Sequence, residues 1–304
     1  MLWQNKERAD DSLTIGLWNI HNNLISQSTR WTTVRAFLEE HCIDIMFLQE
    51  VKAEDTFTEK MLSNDIPNRY YEYVGLKNEA GIYYDSLKLE VKLIDSVDYG
   101  VLIEKTVSGK SIDQTDIFRM REYTVLFTRK YTSHEQRQNY VHCVPYSFLA
   151  MSYHAMSTAK EDVKLSSMED FFGYVSQLQN RVSNENELLY PIIIGMDGNL
   201  DINKIELPSL WTQPVYDGER RNISSTQKEN NIIDYFIYHG RGTSTTMWLG
   251  DIKCINIAEE GSKTKAVFSE LEPEEDIGDL SNHDPIVAYC AFKHNTITDQ
   301  TNPN

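Results

Sequence analysis

Asp44-Ile45-Met46-Phe47-Leu48-Gln49-Glu50-Val51 is a short apolar run closed by a carboxamide and a carboxylate. The run from Ile43 to Leu48 is too short for a helix and reads as a buried strand. The same construction recurs along the chain. Leu13 to Trp18 places Leu13, Ile15 and Leu17 on alternate positions and ends in Trp18-Asn19. Phe148 to Tyr153 ends in His154, and the run opened by Pro191 to Ile194 ends in Asp197-Gly198-Asn199. Ile286 to Phe292 follows Ser281-Asn282-His283. Tyr123 to Thr128 and Ile232 to Tyr238 read as further strands, and Ala80 to Tyr84 with Leu89 to Leu93 has the spacing of a hairpin. Helical spacing is rarer. Trp31, Val34, Phe37, Leu38 and His41 form one such stripe, with Ser28 or Thr29 as its cap. Met168, Phe171, Phe172, Val175, Leu178 and Val182 form another, behind a Ser166/Glu169 capping box. Strands that outnumber helices and end in polar residues predict a layered α/β fold with its site at the strand ends.

The 304 residues carry 46 acids and 29 bases, a net charge of −17, and are 40% apolar and 25% charged. That is globular composition and excludes a mainly disordered or fibrous chain. The absence of a Gly/Pro-rich linker predicts one domain over 13–293, with an extension at 1–12 and a polar tail at 294–304. No apolar run approaches the roughly 18 residues of a membrane span, and Met1 to Asp11 shows no signal-peptide core. Cys42, Cys143, Cys254 and Cys290 lack metal-ligand spacing and predict reduced thiols in a cytoplasmic protein. The acidic balance excludes a generic DNA coat, whose affinity would come from Lys and Arg displacing counterions.

Convergence of the strand ends would bring together Asn19, Glu50, Asp197 and Asn199. These are hard oxygen donors that suit Mg²⁺ or Mn²⁺ rather than zinc. His154 and His283 add imidazoles for proton transfer and phosphate contact, and Asp234 can orient one of them. A carboxylate–imidazole pair beside such a metal is equipment for hydrolysing a phosphate ester.

The chain resembles the endonuclease/exonuclease/phosphatase superfamily, also called DNase-I-like. Leu17-Trp18-Asn19 resembles its W-N motif and Asp44 to Val51 its D-I-x-x-L-Q-E-V motif. Gly81-Ile82-Tyr83-Tyr84-Asp85 resembles the strand that follows. Ser152-Tyr153-His154-Ala155 is similar to the strand ending in a phosphate-contacting His. Gly195-Met196-Asp197-Gly198-Asn199, Ile233-Asp234-Tyr235 and Ser281-Asn282-His283-Asp284-Pro285 resemble G-D-x-N, I-D-Y and S-D-H-x-P. The motifs occur in family order from about Leu13 to Phe292.

The resemblance implies a four-layer α/β/β/α sandwich of two mainly antiparallel sheets flanked by helices. It implies Glu50 as metal ligand with Asn19 and Asn282, and His283 as catalytic imidazole paired with Asp234. It further implies His154 on the phosphate, and Asp197 and Asn199 positioning water and phosphate. Asp116 to Glu122 is similar to a stretch where an Arg stabilises the site and a Glu pairs with the phosphate-contacting His; Arg119 or Arg121 would clamp phosphate bidentately. The implied activity is a Mg²⁺- or Mn²⁺-dependent nuclease, endo- or exonucleolytic, hydrolysing DNA or RNA by in-line attack of water. Its alternatives are a phosphatase or phosphodiesterase of small-molecule or lipid phosphates, and a catalytically impaired scaffold.

Two positions depart from the pattern. Gly198 stands where the family often has an aromatic, which is expected to loosen that turn. Asn282 stands where the family has Asp, so the metal shell lacks one charge. Asn282→Asp is therefore expected to tighten metal binding by roughly 10–100-fold, read as a lower Mg²⁺ concentration at half-maximal rate. Glu270 to Asp279 holds six acids and no base just before the His283 motif. As more than a solvated loop, it would repel a long polyanion, admitting nucleic acid as substrate but opposing tight nonspecific duplex binding.

Overall fold

The computed structural model describes residues 12–20, 27–51, 70–75, 80–94, 104–107, 110–113, 121–131, 146–185, 188–214, 232–250, 252–277, 281 and 283–295. Strand β1 (Ser12–Asn19) lies parallel to β2 (Ile45–Gln49), and helix α1 (Gln27–Glu40) makes the crossover between them. Beyond β2 come β4 (Ala80–Asp85) and the edge strand β3 (Tyr71–Gly75), both antiparallel. On the other side β1 pairs with β14 (Ile286–His294), which carries β12 (Thr245–Leu249) and the short β13 (Lys253–Cys254). Among the described residues this is a seven-stranded sheet.

Among the described residues the second sheet has five strands in the order β11-β10-β9-β8-β5. They are β5 (Leu89–Leu93), β8 (Glu122–Arg129), β9 (Ser147–His154), β10 (Ile192–Asp197) and β11 (Asp234–His239). Parallel pairing occurs between β9 and β10, joined through helix α2 (Glu161–Glu185), and the other pairs are antiparallel. A separate ribbon joins β6 (Glu104–Val107) to β7 (Lys110–Asp113).

The alternation of side chains along each strand builds the layers. Leu13, Ile15, Leu17, Ile45, Phe47, Ile82 and Tyr84 face the second sheet, where they meet residues such as Phe127, Phe148 and Phe236. Phe47 packs edge-on against Phe236 at 6.0 Å between centroids, and Tyr84 lies tilted against Phe127 at 5.1 Å. The opposite face of the first sheet, with Trp18, Met46, Leu48 and Tyr83, is covered by Val34, Phe37 and Leu38 of α1 and Phe268 of helix α3 (Lys263–Leu271). Helix α2 covers the second sheet, its Phe171 stacked on Tyr153 at 3.9 Å. Helices on both outer faces leave β2 and β10 buried throughout, as the sequence predicts for central strands.

Gly195 on β10 lies directly against Phe47 of the facing sheet. A Cβ there would lie 2.5 Å from the Phe47 ring. Gly195→Val is expected to destabilise the fold by about 1–3 kcal/mol, since the added volume has no room, and urea unfolding measures it. Glu40, at the end of α1, caps the start of α3. Its carboxylate accepts from Ser262 Oγ (3.1 Å), the amides of Lys263 and Thr264 (both 2.9 Å) and Thr264 Oγ1 (2.7 Å). Partial burial works against its charge, yet the bonds from Thr264, Lys263 and Ser262 prevail and lower its pKa. This stability is present above the ordinary glutamate range and is lost as pH falls through the lowered value. Glu40→Gln is expected to flatten the acid side of a Tm-against-pH curve.

Three local expectations are corrected. Ala80–Tyr84 and Leu89–Leu93 do not form a hairpin: β4 pairs with β2 and β3, while β5 pairs with β8 in the other sheet. The Asp85 turn, with Leu87 N on Asp85 Oδ1 (3.1 Å), passes the chain between sheets. Ser166 does not cap α2. The helix starts five residues earlier at Glu161, where two acids in its first turn complement the helix dipole. Ser28 and Thr29 lie within α1 rather than before it.

Candidate active site

Five strand ends meet at one edge of the two facing sheets. Asn19 ends β1, His154 ends β9, Asp197 ends β10, Asp234 opens β11, and Glu50 follows β2. Asn19 Nδ2 donates to Asp197 Oδ2 at 2.8 Å and to Glu50 Oε1 at 3.2 Å, linking the sheets. His154 Nε2 lies 3.5 Å from Glu50 Oε1 and 3.9 Å from Asp197 Oδ2. His283 Nδ1 is 2.8 Å from Asp234 Oδ2, and its Nε2 is 4.0 Å from Asp197 Oδ2. This pairing places the Nε2 edge of His283 toward the cluster.

The backbone is bent to serve this arrangement. Glu50 has φ +56° and Asn199 has φ +47°, in the left-handed region that residues other than Gly seldom occupy. Asn tolerates it, but for Glu it is strain of the kind that gathers at functional sites. Asn199 N–H donates to Asp197 Oδ1 (2.9 Å) and its Nδ2 to the Ala155 carbonyl (3.0 Å), closing the turn after β10 against β9.

Charges crowd in a dry setting. Burial, then repulsion from Asp234, raises the pKa of Asp197 against the pull of His283, His154 and Asn19. Burial opposes protonation of His283, but Asp234 by charge and hydrogen bond, aided by Asp197 and Glu50, raises it to about 9. The imidazole is therefore a cation at neutral pH, suited to meeting phosphate oxygen. Asp284, beside it, is also raised by burial and by Asp234.

Among the described residues, two groups bring possible metal-ligand atoms within 4.8 Å of one another: Glu50, His154 and Asp197, and Asp197, Asp234 and His283. Neither contains a thiolate, and carboxylates predominate, so the donor set fits a hard divalent cation better than a structural zinc. The left-handed backbone at Glu50 is a second sign that its carboxylate is held in place for a purpose.

Arg121 uses Nη1 on the carbonyls of His154 (3.2 Å) and Ala155 (3.1 Å), so it braces the end of β9. Glu122 accepts from Tyr174 OH (2.7 Å) and Thr124 Oγ1 (2.5 Å). Asn282, Arg119 and Cys143 lie outside the described residues. At Gly198 a Cβ would come 1.8 Å from the Tyr235 hydroxyl, so the Tyr235 ring occupies the space a side chain would need. Of the acidic stretch, Glu274, Glu275 and Asp276 are exposed, while Glu272 accepts from Thr29 Oγ1 (2.8 Å).

Several supports carry no role in the sequence reading. Ser281 Oγ donates to the Asn19 carbonyl (2.6 Å) and accepts from His283 N–H (3.0 Å), and Trp18 Nε1 donates to the His283 carbonyl (2.9 Å). Gln49 Nε2 reaches Ser152 Oγ (3.0 Å) and the Gly195 carbonyl (3.3 Å) on the other sheet. Trp18, Gln49, Ser152 and Ser281 all stand inside quoted motifs, which was their available signal. Lys164, which donates to the Asn199 carbonyl (2.9 Å), has none.

Comparison with solved structures finds the same architecture. D. rerio TDP2 complexed with a single-strand DNA product matches with a TM-score of 0.55 at 12% identity, over 93% of this chain and 99% of that one. An endonuclease/exonuclease/phosphatase family protein from Bacteroides thetaiotaomicron matches at 0.54 and 15%, over 93% and 98%. The human Nocturnin catalytic domain with bound sulfate matches at 0.51 and 12%, over 93% and 94%. No family model matches the sequence, and no curated protein does. At such low identity these likenesses establish the fold.

Proposed function

We propose that this chain, which has the DNase-I-like fold of the endonuclease/exonuclease/phosphatase superfamily, is a divalent-metal-dependent phosphoesterase acting on nucleic-acid phosphodiester bonds. The observation that carries the reading is His283, paired to Asp234 at 2.8 Å and facing Asp197, which Asn19 links to Glu50. Mg²⁺ or Mn²⁺ held by Glu50 and Asn19, with Asn282 by its place in the sequence, would neutralise charge developing on the phosphate.

The chain's own groups supply the rest. Asp197, buried and with a raised pKa, accepts the proton of the attacking water. His283 as imidazolium, held by Asp234, and His154 meet the phosphate oxygens. Asn199 fixes the turn that aims Asp197. Arg121, braced on the end of β9, presents its remaining guanidinium N–H groups to the phosphate, and Arg119 is a second candidate for that contact.

The solved TDP2 complex with a single-strand DNA product supports nucleic acid as the substrate class. The net charge of −17 favours few phosphate contacts over a long duplex footprint. Among the described residues no helix is long and apolar enough to cross a membrane. The thiols of Cys42 and Cys290 are free, in keeping with the cytoplasmic setting proposed for this chain.

A substrate panel of single-stranded and duplex DNA, RNA, inositol phosphates and sphingomyelin, each with Mg²⁺ and Mn²⁺, tests this. Turnover confined to the nucleic acids is expected. Turnover of the small or lipid phosphates alone would overturn the substrate class, and none at all would favour a scaffold.

A further inference from the structure

We propose that Lys164 is a positioning residue: its ammonium holds the backbone of Asn199 in the left-handed turn that sets this residue's carboxamide against Ala155, next to His154. The inference rests on the phosphoesterase reading given above.

Three hydrogen bonds hold Asn199. Its N–H donates to Asp197 Oδ1 at 2.9 Å and its Nδ2 to the Ala155 carbonyl at 3.0 Å, both from within the site. The third comes from another layer of the fold. Lys164, in the first turn of α2, donates from Nζ to the Asn199 carbonyl at 2.9 Å. A bond from an ammonium is stronger than one between neutral groups, and this one fixes the carbonyl of a residue at φ +47°, a conformation that Asn tolerates but that needs partners to hold it.

Helix α2 is itself anchored along its first three turns. Phe171 stacks on Tyr153 at 3.9 Å, and Glu161 pairs with Lys204, just past the turn, at 2.7 Å. Close packing does not replace the lysine here. A cavity of about 10 Å³, room for roughly one water, lies between Lys164, Met168, Tyr153, Ala155 and Gly198. Without the ammonium, the Asn199 carbonyl loses its bond to α2, and Gly198 of the same turn borders this cavity. Ala155 links the effect to the rest of the site, since its carbonyl also accepts from Arg121 and its N–H donates to the Asp197 carbonyl at 2.8 Å.

The test compares Lys164→Met and Lys164→Arg in the full chain. On a single-stranded oligonucleotide with Mn²⁺, Lys164→Met is expected to lower kcat by about 10–100-fold, with KM and Tm nearly unchanged. Lys164→Arg, which keeps the charge and donors, is expected to restore most of the rate. A wild-type kcat in Lys164→Met overturns the proposal, as does an equal loss in both variants or a loss matched by a fall in Tm. The crystal structure of Lys164→Met gives a readout independent of turnover: Asn199 is expected to leave positive φ, and its retention there overturns the proposal. If the wild type cleaves nothing, the phosphoesterase reading fails by itself and the structure still decides the role of Lys164.

Discussion

Glu50→Ala is expected to lose divalent-cation binding while the chain stays folded. Glu50 is the half-buried carboxylate of the cluster, standing at the open side of Asn19, His154 and Asp197. Its loss removes a ligand charge, so affinity should fall by more than the roughly 10–100-fold that follows loss of an outer-shell group. The fold does not depend on it. The two sheets are joined by the Phe47 and Phe127 packing and by Gln49, none of which involves the Glu50 side chain. Calorimetric titration with Mn²⁺ beside a thermal melt checks both halves. Wild-type affinity in Glu50→Ala would remove Glu50 from the metal site.

His283→Ala is expected to lower kcat by about 10²–10⁴-fold, the range for losing a positioned proton-transfer or charge-stabilising group. Asp234→Asn should approach the same loss. The Asn removes the largest influence favouring the His283 cation, the charge and bond of Asp234, and leaves only the weaker pull of Asp197 and Glu50. The double variant should be little worse than His283→Ala alone, because the aspartate acts through the imidazole. Full multiplication of the two single losses would show that Asp234 has a separate task.

The site was more legible than the frame around it. Asn19, Glu50, His154, Asp197 and Asp234 each sit at the edge of a strand whose apolar core is visible in the sequence, so the strand pattern located the polar ends as well. Glu161 was not legible as the start of α2, because the Ser166/Glu169 pair mimics a cap inside the helix. The edge strand β3 shows no apolar run, since only Tyr71 in it is fully buried. α3 buries only Thr264 and Phe268, too sparse a stripe for helical periodicity to register. The pairing of β5 with β8 is a matter of sheet choice, which local spacing between Tyr84 and Leu89 does not encode. Lys164 illustrates the same limit within the site: its partner is a backbone carbonyl 35 residues away, and no side-chain pattern announces such a bond.

The most direct test of the account is cleavage of end-labelled single-stranded DNA and RNA oligonucleotides by the wild-type chain, with Mg²⁺, with Mn²⁺ and with a chelator. Hydrolysis of phosphodiester bonds is expected in the presence of either cation and none once the metal is removed. Absence of cleavage under all three conditions, or cleavage that the chelator leaves unchanged, would contradict it.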